Sequence, residues 1–492
     1  MLAVNGNAAA RTRLLDERAR AAWIGPALLG AIAVARLLVL PGLGLFNDEA
    51  YYWEWSRHLA PSYYDHPPAV AFAIAASTRL LGETRFAVHL PAFVFSLLTS
   101  AVLFRLALDL FPRRRHVAWW AVVASNAAPL FGIGAVFTTP DAPATFCWVT
   151  ATWLAWRATH GAPRAWYLAG AAVGAGLLSK YAVALLPLAL AAYLALPRNR
   201  HWWTRREPWL AALLAAAIAL PALAWNRDLG LASVSFQLVE RHLGPWQPLA
   251  TLRRFVVAQQ AVSPLLWLLC MAALVRSARL ARRGSDVHAF LLCGAATVLG
   301  FFGLFALHTW VNPNWTGVAY VPLLLSAADL ARRKCWWVRV LPVLTAGVAT
   351  AAFYAQALWL PLPLTGRGDL AGDLHGWEEV GARLRSLRAT MPEPSRTFAY
   401  ARRFQYAALA AFHAGEGLEV TRLGGGRRDA YDAWRDDERL RGRDAILFED
   451  DWNPAEPDPR FARCEPAGAL PIVRGGRRLR TFSFWRCFAF DP

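Results

Sequence analysis

Two acids open an aromatic stretch, Phe46-Asn47-Asp48-Glu49-Ala50-Tyr51-Tyr52-Trp53-Glu54-Trp55, and a carboxylate beside an imidazole follows in Tyr63-Tyr64-Asp65-His66-Pro67-Pro68. A third acid, Asp141, comes after Thr138-Thr139-Pro140, and a single cation, Lys180, stands between two apolar runs. A fourth group runs from His308 through Trp310 and Asn312 to Asn314 and Trp315. Carboxylates take a proton from a nucleophile, and cations stabilise an anion that departs. Each group also has a structural reading. Asp48 and Asp141 can cap helices, Asp65 can close an Asx turn before the paired prolines, Lys180 can snorkel, and His308 to Trp315 can form an aromatic-belt turn. A cation near membrane depth is costly without an anion, so Lys180 is expected to meet one.

These residues sit on an apolar chain. Of 492 residues 56% are apolar and only 17% charged, which excludes an ordinary soluble or a disordered protein. The 24 Trp and 31 Pro fit membrane helices with interfacial anchors. The net charge of +18 falls in short Arg clusters between apolar runs, not along one face, so nucleic acid is not an expected partner and the bilayer is. A membrane helix needs about 20 apolar residues. Such segments are expected near 21–45, 85–111, 117–137, 142–160, 165–179, 181–197, 208–225, 255–275, 287–307, 315–331 and 336–360, about eleven spans. Every second loop is basic, at Arg11 to Arg20, Arg113 to Arg115, Arg157 and Arg164, Arg198 to Arg206, Arg276 to Arg283, and Arg332 to Lys334. Positive loops stay cytoplasmic, which places the N-terminus inside and the C-terminal segment outside. The first apolar run lacks a cleavage pattern and reads as a retained anchor.

Under this topology Asp48, Glu49, Asp65, His66, Asp141, Lys180 and His308 all fall on the outer face, although no chemistry entered the assignment. The external loop 46–84, about 40 residues long, is neither polar nor Gly-rich and is expected to be ordered. Tyr51, Trp55 and Leu59 recur at i, i+4 and i+8, which predicts an amphipathic helix with its aromatics in the headgroup layer. Gln237, Glu240, Arg241 and His242 mark a second external loop that suits a lid or an acceptor contact.

Composition changes near residue 362, which divides the chain into a membrane domain, 1–361, and a soluble α/β domain, 362–492. Gly376 to Leu387 is helix-like, and Arg396 to Ala401, Ala445 to Glu449 and Leu479 to Phe490 are strand-like. Gln405, Tyr406, Arg428 and Tyr431 are candidate acceptor contacts there. Cys464 and Cys487 can form a bridge if their segments are neighbouring strands. Cys147, Cys270, Cys293 and Cys335 read as small apolar residues.

At Asn47-Asp48-Glu49-Ala50-Tyr51-Tyr52, Tyr63 to Pro68, Pro140-Asp141-Ala142-Pro143, Leu177-Leu178-Ser179-Lys180-Tyr181 and Asn312-Pro313-Asn314-Trp315 the chain resembles the polytopic lipid-linked-sugar glycosyltransferases of the GT-C class. The nearest groups are the bacterial relatives of protein O-mannosyltransferases, including lipid A aminoarabinose transferases and rhizobial galacturonosyltransferases. The resemblance covers roughly residues 20 to 330. It implies transfer of a sugar from a polyprenyl-phosphate carrier to an acceptor at the outer face of the bacterial inner membrane, with inversion at the anomeric carbon. It places Asp48, with Glu49 as alternate, near the acceptor, and makes Asp141 the second-loop acid. Tyr64, Asp65, His66, Lys180, His308 and Asn314 are the implied substrate contacts. In the aminoarabinose transferases a Lys before the loop prolines meets the carrier phosphate, where this chain has His66. A neutral imidazole is a weaker partner, so His66 must be protonated, help to hold a divalent metal, or leave the phosphate to Lys180. No nucleotide-binding Gly-rich loop is found. A transporter or flippase is the rival class, but it predicts two halves with paired Gly/Pro-interrupted helices, and no such pairing is seen.

Overall fold

The computed structural model describes residues 24–228, 246–364, 369, 371–424, 428–454 and 456–492. The Arg11 to Arg20 cluster and Gln237, Glu240, Arg241 and His242 lie outside them. Among the described residues six helices are long and apolar enough to cross a membrane: α1 (Ile24–Gly42), α4 (Arg85–Leu110), Arg206–Arg227 within α10 (Arg206–Asp228), Pro264–Arg282, Asp286–Phe305 and Trp336–Trp359. Of the remaining expected spans, 142–160 forms an unbroken 19-residue helix that is less apolar than these six, and the others are shorter or broken. The segment 117–137 divides into α5 (Arg115–Ala127) and α6 (Pro129–Ile133), because Ala128 before the proline is extended, ψ 127°. The segments at 165–179 and 181–197 become α8 (Ala165–Leu177) and, after a 3-10 turn, α9 (Leu185–Leu194). Both are below the length of about 20 residues that a straight crossing needs. The other helices in this half are α2 (Asn47–Arg57), α3 (Ala69–Leu81), α7 (Asp141–Thr159), Pro248–Ala258 and Tyr320–Ala331.

Small residues set the closest helix contact. A Cβ on Gly170 would lie 2.2 Å from the Ala211 carbonyl oxygen, and one on Gly174 would lie 2.7 Å from Ile218. The Gly-x-x-x-Gly spacing therefore lets α8 and α10 meet backbone to backbone.

The alternation of basic and acidic loops has a structural counterpart. Arg114, Arg276 and Arg332, from three basic loops, converge on buried Asp329 at 3.1, 2.9 and 2.7 Å. Two further basic loops meet where Asp286 pairs with His160 at 3.0 Å and Arg198 at 3.4 Å. The acidic loops cross-link elsewhere, as described below.

The stretch 46–84 differs from expectation. α2 forms, but its aromatics do not lie in a lipid headgroup layer: Tyr51, Trp53 and Trp55 are 1%, 2% and 0% exposed. Trp55 stacks on Tyr63 with ring centres 4.2 Å apart, Tyr51 meets Phe404 at 4.4 Å, and Trp53 meets Phe412 at 5.0 Å. One hydrophobic core thus joins α2 and α3 to the C-terminal residues Trp377, Tyr406, Ile446 and Phe482. Helical periodicity shows that one face is apolar; it does not show whether lipid or protein covers that face.

The C-terminal region is a five-stranded mixed sheet in the order β2-β1-β3-β5-β4, with β1 (Phe398–Ala401), β2 (Val420–Arg422), β3 (Ala445–Asp450), β4 (Phe461–Arg474) and β5 (Arg477–Phe490). β1 pairs in parallel with β2 and β3, and the Phe404–Ala414 helix makes the β1 to β2 crossover. β4 and β5 form an antiparallel hairpin in which Cys464 faces Cys487, and the two are joined by a disulfide. Tyr406, a candidate acceptor contact, is instead a core residue that donates to Asp450 at 2.6 Å.

Glu449, on the central strand β3, is 1% exposed and accepts a hydrogen bond from the Arg402 amide. Burial first, with the Asp450 charge beside it, pushes its carboxyl from the ordinary 4.5 up to about 8. Its stabilising contribution is complete below pH 4.5 and is lost as pH rises to 8, at up to about 1.4 kcal/mol per pH unit. Thermal unfolding of the detergent-solubilised protein between about pH 5 and 8 is expected to show a decline that Glu449→Gln flattens. Equal slopes in the two proteins would refute the assignment.

Candidate active site

The turn before α7 leads into Asp141, the first residue of that helix, and is held from beneath. Glu49, in the first turn of α2, accepts from the Thr138 amide at 2.6 Å and the Phe46 amide at 3.3 Å, and its Oε1 lies 2.9 Å from His89 Nδ1. Thr138 closes the arrangement, its hydroxyl donating to the His89 carbonyl and accepting from the Ala92 amide, both at 3.2 Å. Glu49 and His89 are 0% exposed. The alternate catalytic acid is therefore inside the protein, where it fixes α2 to the Asp141 turn. Asp48, next to it, is half-buried.

Lys180 lies in the break between α8 and the following 3-10 turn, with extended backbone, φ −156° and ψ 132°. The Gly176 carbonyl accepts from both the Ser179 and Lys180 amides at 2.9 Å, which ends α8 tightly and frees the lysine from the helix. Its ammonium donates to Asp141 Oδ1 at 2.6 Å, and Asn314 donates to Asp141 Oδ2 at 2.9 Å. The Lys180 side chain is 11% exposed and that of Asp141 29%. Three segments far apart in sequence thus share one carboxylate. A fourth is tied in, because the Ala69 amide just after Pro67-Pro68 donates to the Leu178 carbonyl at 2.9 Å.

Asp141 also lines a cavity of about 80 Å³ with Ser96, Thr99, Ser100, Asn126 and Thr145. Asn126 in turn accepts from buried Arg36 of α1 through its side-chain oxygen and through its carbonyl, each at 2.7 Å. Sequence reasoning passed over Arg36, although an arginine inside an apolar run was a readable signal.

The remaining candidates lie on the 63–68 turn and the 308–315 link. Asp65 is 8% exposed, and its charge acts on Tyr51 and Asp429, so it belongs to the junction with the C-terminal domain. There the Tyr51 hydroxyl accepts from the Ala430 amide at 2.7 Å, and burial, opposed by Arg422, pushes Asp429 up to about 7. His66 is half-buried, its ring centre 6.2 Å from that of Tyr52, and Tyr64 is 9% exposed. His308 is exposed and packs against Trp246 at 4.3 Å. Among the described residues no three His, Cys, Asp or Glu side chains gather as a metal site. Both Asp141 oxygens already accept from Lys180 and Asn314, which is no fit for a divalent ion, and no step below uses one.

Residues 65–225 match the sequence model of the family described as dolichyl-phosphate-mannose-protein mannosyltransferase. A lipid A galacturonosyltransferase of Rhizobium johnstonii is 28% identical over 288 residues, 56% of this chain and 58% of that protein. An undecaprenyl phosphate-alpha-4-amino-4-deoxy-L-arabinose arabinosyl transferase of Pectobacterium carotovorum is 32% identical over 190 residues, 33% of this chain and 34% of its own length. The chain thus aligns with less than two thirds of either relative. In structure it is similar to ArnT from Cupriavidus metallidurans, with TM-score 0.63 and 15% identity over 95% of this chain and 98% of that one. The same protein bound to undecaprenyl phosphate gives 0.62 and 16%, over 93% and 97%. The molecule is a polytopic α-helical membrane protein with a C-terminal mixed-sheet domain. Its fold is similar to that of ArnT from Cupriavidus metallidurans, in line with the resemblance drawn from the motifs.

Because Glu49 is buried with three polar partners, Glu49→Ala is expected to lower stability by about 3 kcal/mol or more. Glu49→Gln, which keeps the volume, is expected to lose less. Melting temperatures in detergent check both, and an Ala variant as stable as the parent would remove Glu49 from the positioning role.

Proposed function

We propose that the protein is a membrane glycosyltransferase that moves a hexose or pentose from a polyprenyl-phosphate carrier to a lipid, glycan or protein acceptor, with inversion at the anomeric carbon. The observation that carries this reading is the Lys180, Asp141 and Asn314 constellation, locked to the Asp48 end of α2 through Glu49. The reaction is placed at the periplasmic face of the bacterial inner membrane, with the N-terminus cytoplasmic. We divide the chain into a catalytic membrane domain, 1–361, and a periplasmic domain, 362–492.

In the proposed step an acceptor hydroxyl oxygen attacks the anomeric carbon from the face opposite the phosphate. The new bond to that oxygen forms as the bond to the phosphate oxygen breaks, and the pair of electrons leaves with the carrier phosphate. Asp48 takes the hydroxyl proton, as a general base. Lys180 shares its ammonium hydrogens between Asp141 and the departing phosphate, and His66 adds a second cation when protonated. Asp141 and Asn314 orient this group. Glu49, Asp65 and Tyr64 act through position rather than by touching substrate, and His308 belongs to the external link.

Purified protein incubated with radiolabelled polyprenyl-phosphate sugar tests the class. Labelled acceptor with free carrier phosphate is expected, whereas label crossing a vesicle without bond cleavage would mean transport. Asp48→Asn is expected to lower turnover by about 10²- to 10⁴-fold while the protein still inserts; near-normal turnover would exclude Asp48 as the base. Lys180→Met is expected to lower kcat by about 10²-fold or more, and Lys180→Arg to restore part of it. A pure rise in donor KM for both would assign Lys180 to ground-state binding alone.

A further inference from the structure

A cleft of about 760 Å³ lies between the C-terminal end of α2 and the open edge of the C-terminal sheet at β2. Its volume falls in the range of about 300–1,000 Å³ usual for small-molecule sites. Glu54 forms part of the wall. Its side chain is 8% exposed, yet Oε2 has no hydrogen-bond partner among the described residues, and Arg57 and His58 stop at 3.8 Å. Tyr431, 3% exposed, lines the same cleft, and its hydroxyl also lacks a partner among the described residues. The Tyr431 hydroxyl has no partner among the described residues and Glu54 has ion pairs but no hydrogen bond at Oε2, and buried polar atoms that lack hydrogen bonds cost stability unless something completes them.

The surroundings indicate what completes them. Trp434 beside them stacks on His58 at 4.5 Å, giving an aromatic wall. At the mouth, Arg57, Arg396 and Arg439 are 42%, 59% and 58% exposed and each pairs with a carboxylate, Glu83, Glu393 and Glu419, while Arg435 and Arg443 also line the cleft, so that guanidiniums outnumber the lining acids Glu54, Glu416 and Glu419. A cationic ligand would satisfy Glu54 but would be repelled by these guanidiniums. Sugar hydroxyls donate to a carboxylate and exchange with a phenol, a sugar ring offers an apolar face to an aromatic wall, and an acidic substituent answers the arginines.

We infer that this cleft is a saccharide subsite for an acidic sugar of a glycan acceptor, distant from the sugar that reacts. The inference rests on the transferase reading above and specifies its acceptor. Glu54 is six residues along α2 from Asp48, about 9 Å of helix rise, so one rigid element would set the spacing between the subsite and the reacting hydroxyl.

The test is equilibrium dialysis of the detergent-solubilised full chain against trigalacturonate and, as the neutral probe of equal length, maltotriose. Trigalacturonate is expected to bind at least about tenfold more tightly, and Glu54→Gln and Tyr431→Phe each to weaken it about tenfold. Tyr431→Phe removes an unpartnered hydroxyl and keeps the fold, and Arg57→Gln, at an exposed position, is expected to erase the preference for the acidic probe. No binding of trigalacturonate, equal binding of maltotriose, or unchanged affinity in Glu54→Gln and Tyr431→Phe overturns the subsite. Because binding is read without turnover, failure here leaves the transfer assay untouched, and failure of that assay leaves this result standing.

Discussion

The buried Glu49 carboxylate is the constraint on which the arrangement of α2, α4 and α7 depends. A charge with no access to water is tolerated only when its lone pairs are occupied, and here the Thr138 and Phe46 amides and His89 occupy them. That requirement is directional. It fixes the first turn of α2, the turn that ends at Asp141 and the start of α4 relative to one another. Glu49 thereby helps to place its neighbour Asp48, so the geometry of the proposed base depends in part on a residue that is wholly buried.

A second constraint acts from the other side. Asn47 donates to Asp373 at 2.9 Å, and Asp373 accepts from Arg480 of β5 at 2.9 Å. Arg480 is 1% exposed, lies 4.9 Å from the ring centres of both Trp377 and Phe482, and is 3.4 Å from Asp450. The start of α2 is therefore tied both into the membrane bundle and into the sheet. This explains why the α2 aromatics are buried: they are the interface between two parts of the chain.

Much of this was legible in the sequence. Arg placement alone gave the grouping of loops that recurs as two cross-linked faces, and the strand-like segments at 396–401, 445–449 and 479–490 became β1, β3 and β5. The pairing of Lys180 with an anion followed from the energetic cost of an isolated cation. What could not be read has physical causes. β2 has three residues, too few for a period to show, and β4 is mostly exposed, so it lacks the apolar alternation that marks a half-buried strand. Glu49 and Asp48 are adjacent and chemically alike, and only the third dimension separates the buried one from the half-buried one. The burial of Asp65 and Tyr64 could not be read for the same reason, since a motif fixes order along the chain and not the direction in which a side chain faces.

The Lys180 pair bears on the substitution of His66 for a lysine. An ammonium held at 2.6 Å from a carboxylate is pre-oriented but partly neutralised, so its field at a leaving phosphate is weaker than that of a solitary lysine. Asn314 moderates this, because its amide draws charge from the opposite oxygen of Asp141. A developing phosphate dianion then competes with Asp141 for the same hydrogens, and it competes best late, when its charge is largest. Such an arrangement binds the ground state little and the transition state more, the differential that accelerates a chemical step. A neutral His66 costs less under that logic than it first suggests, since the cation that matters is the one whose partner can be exchanged as the bond breaks.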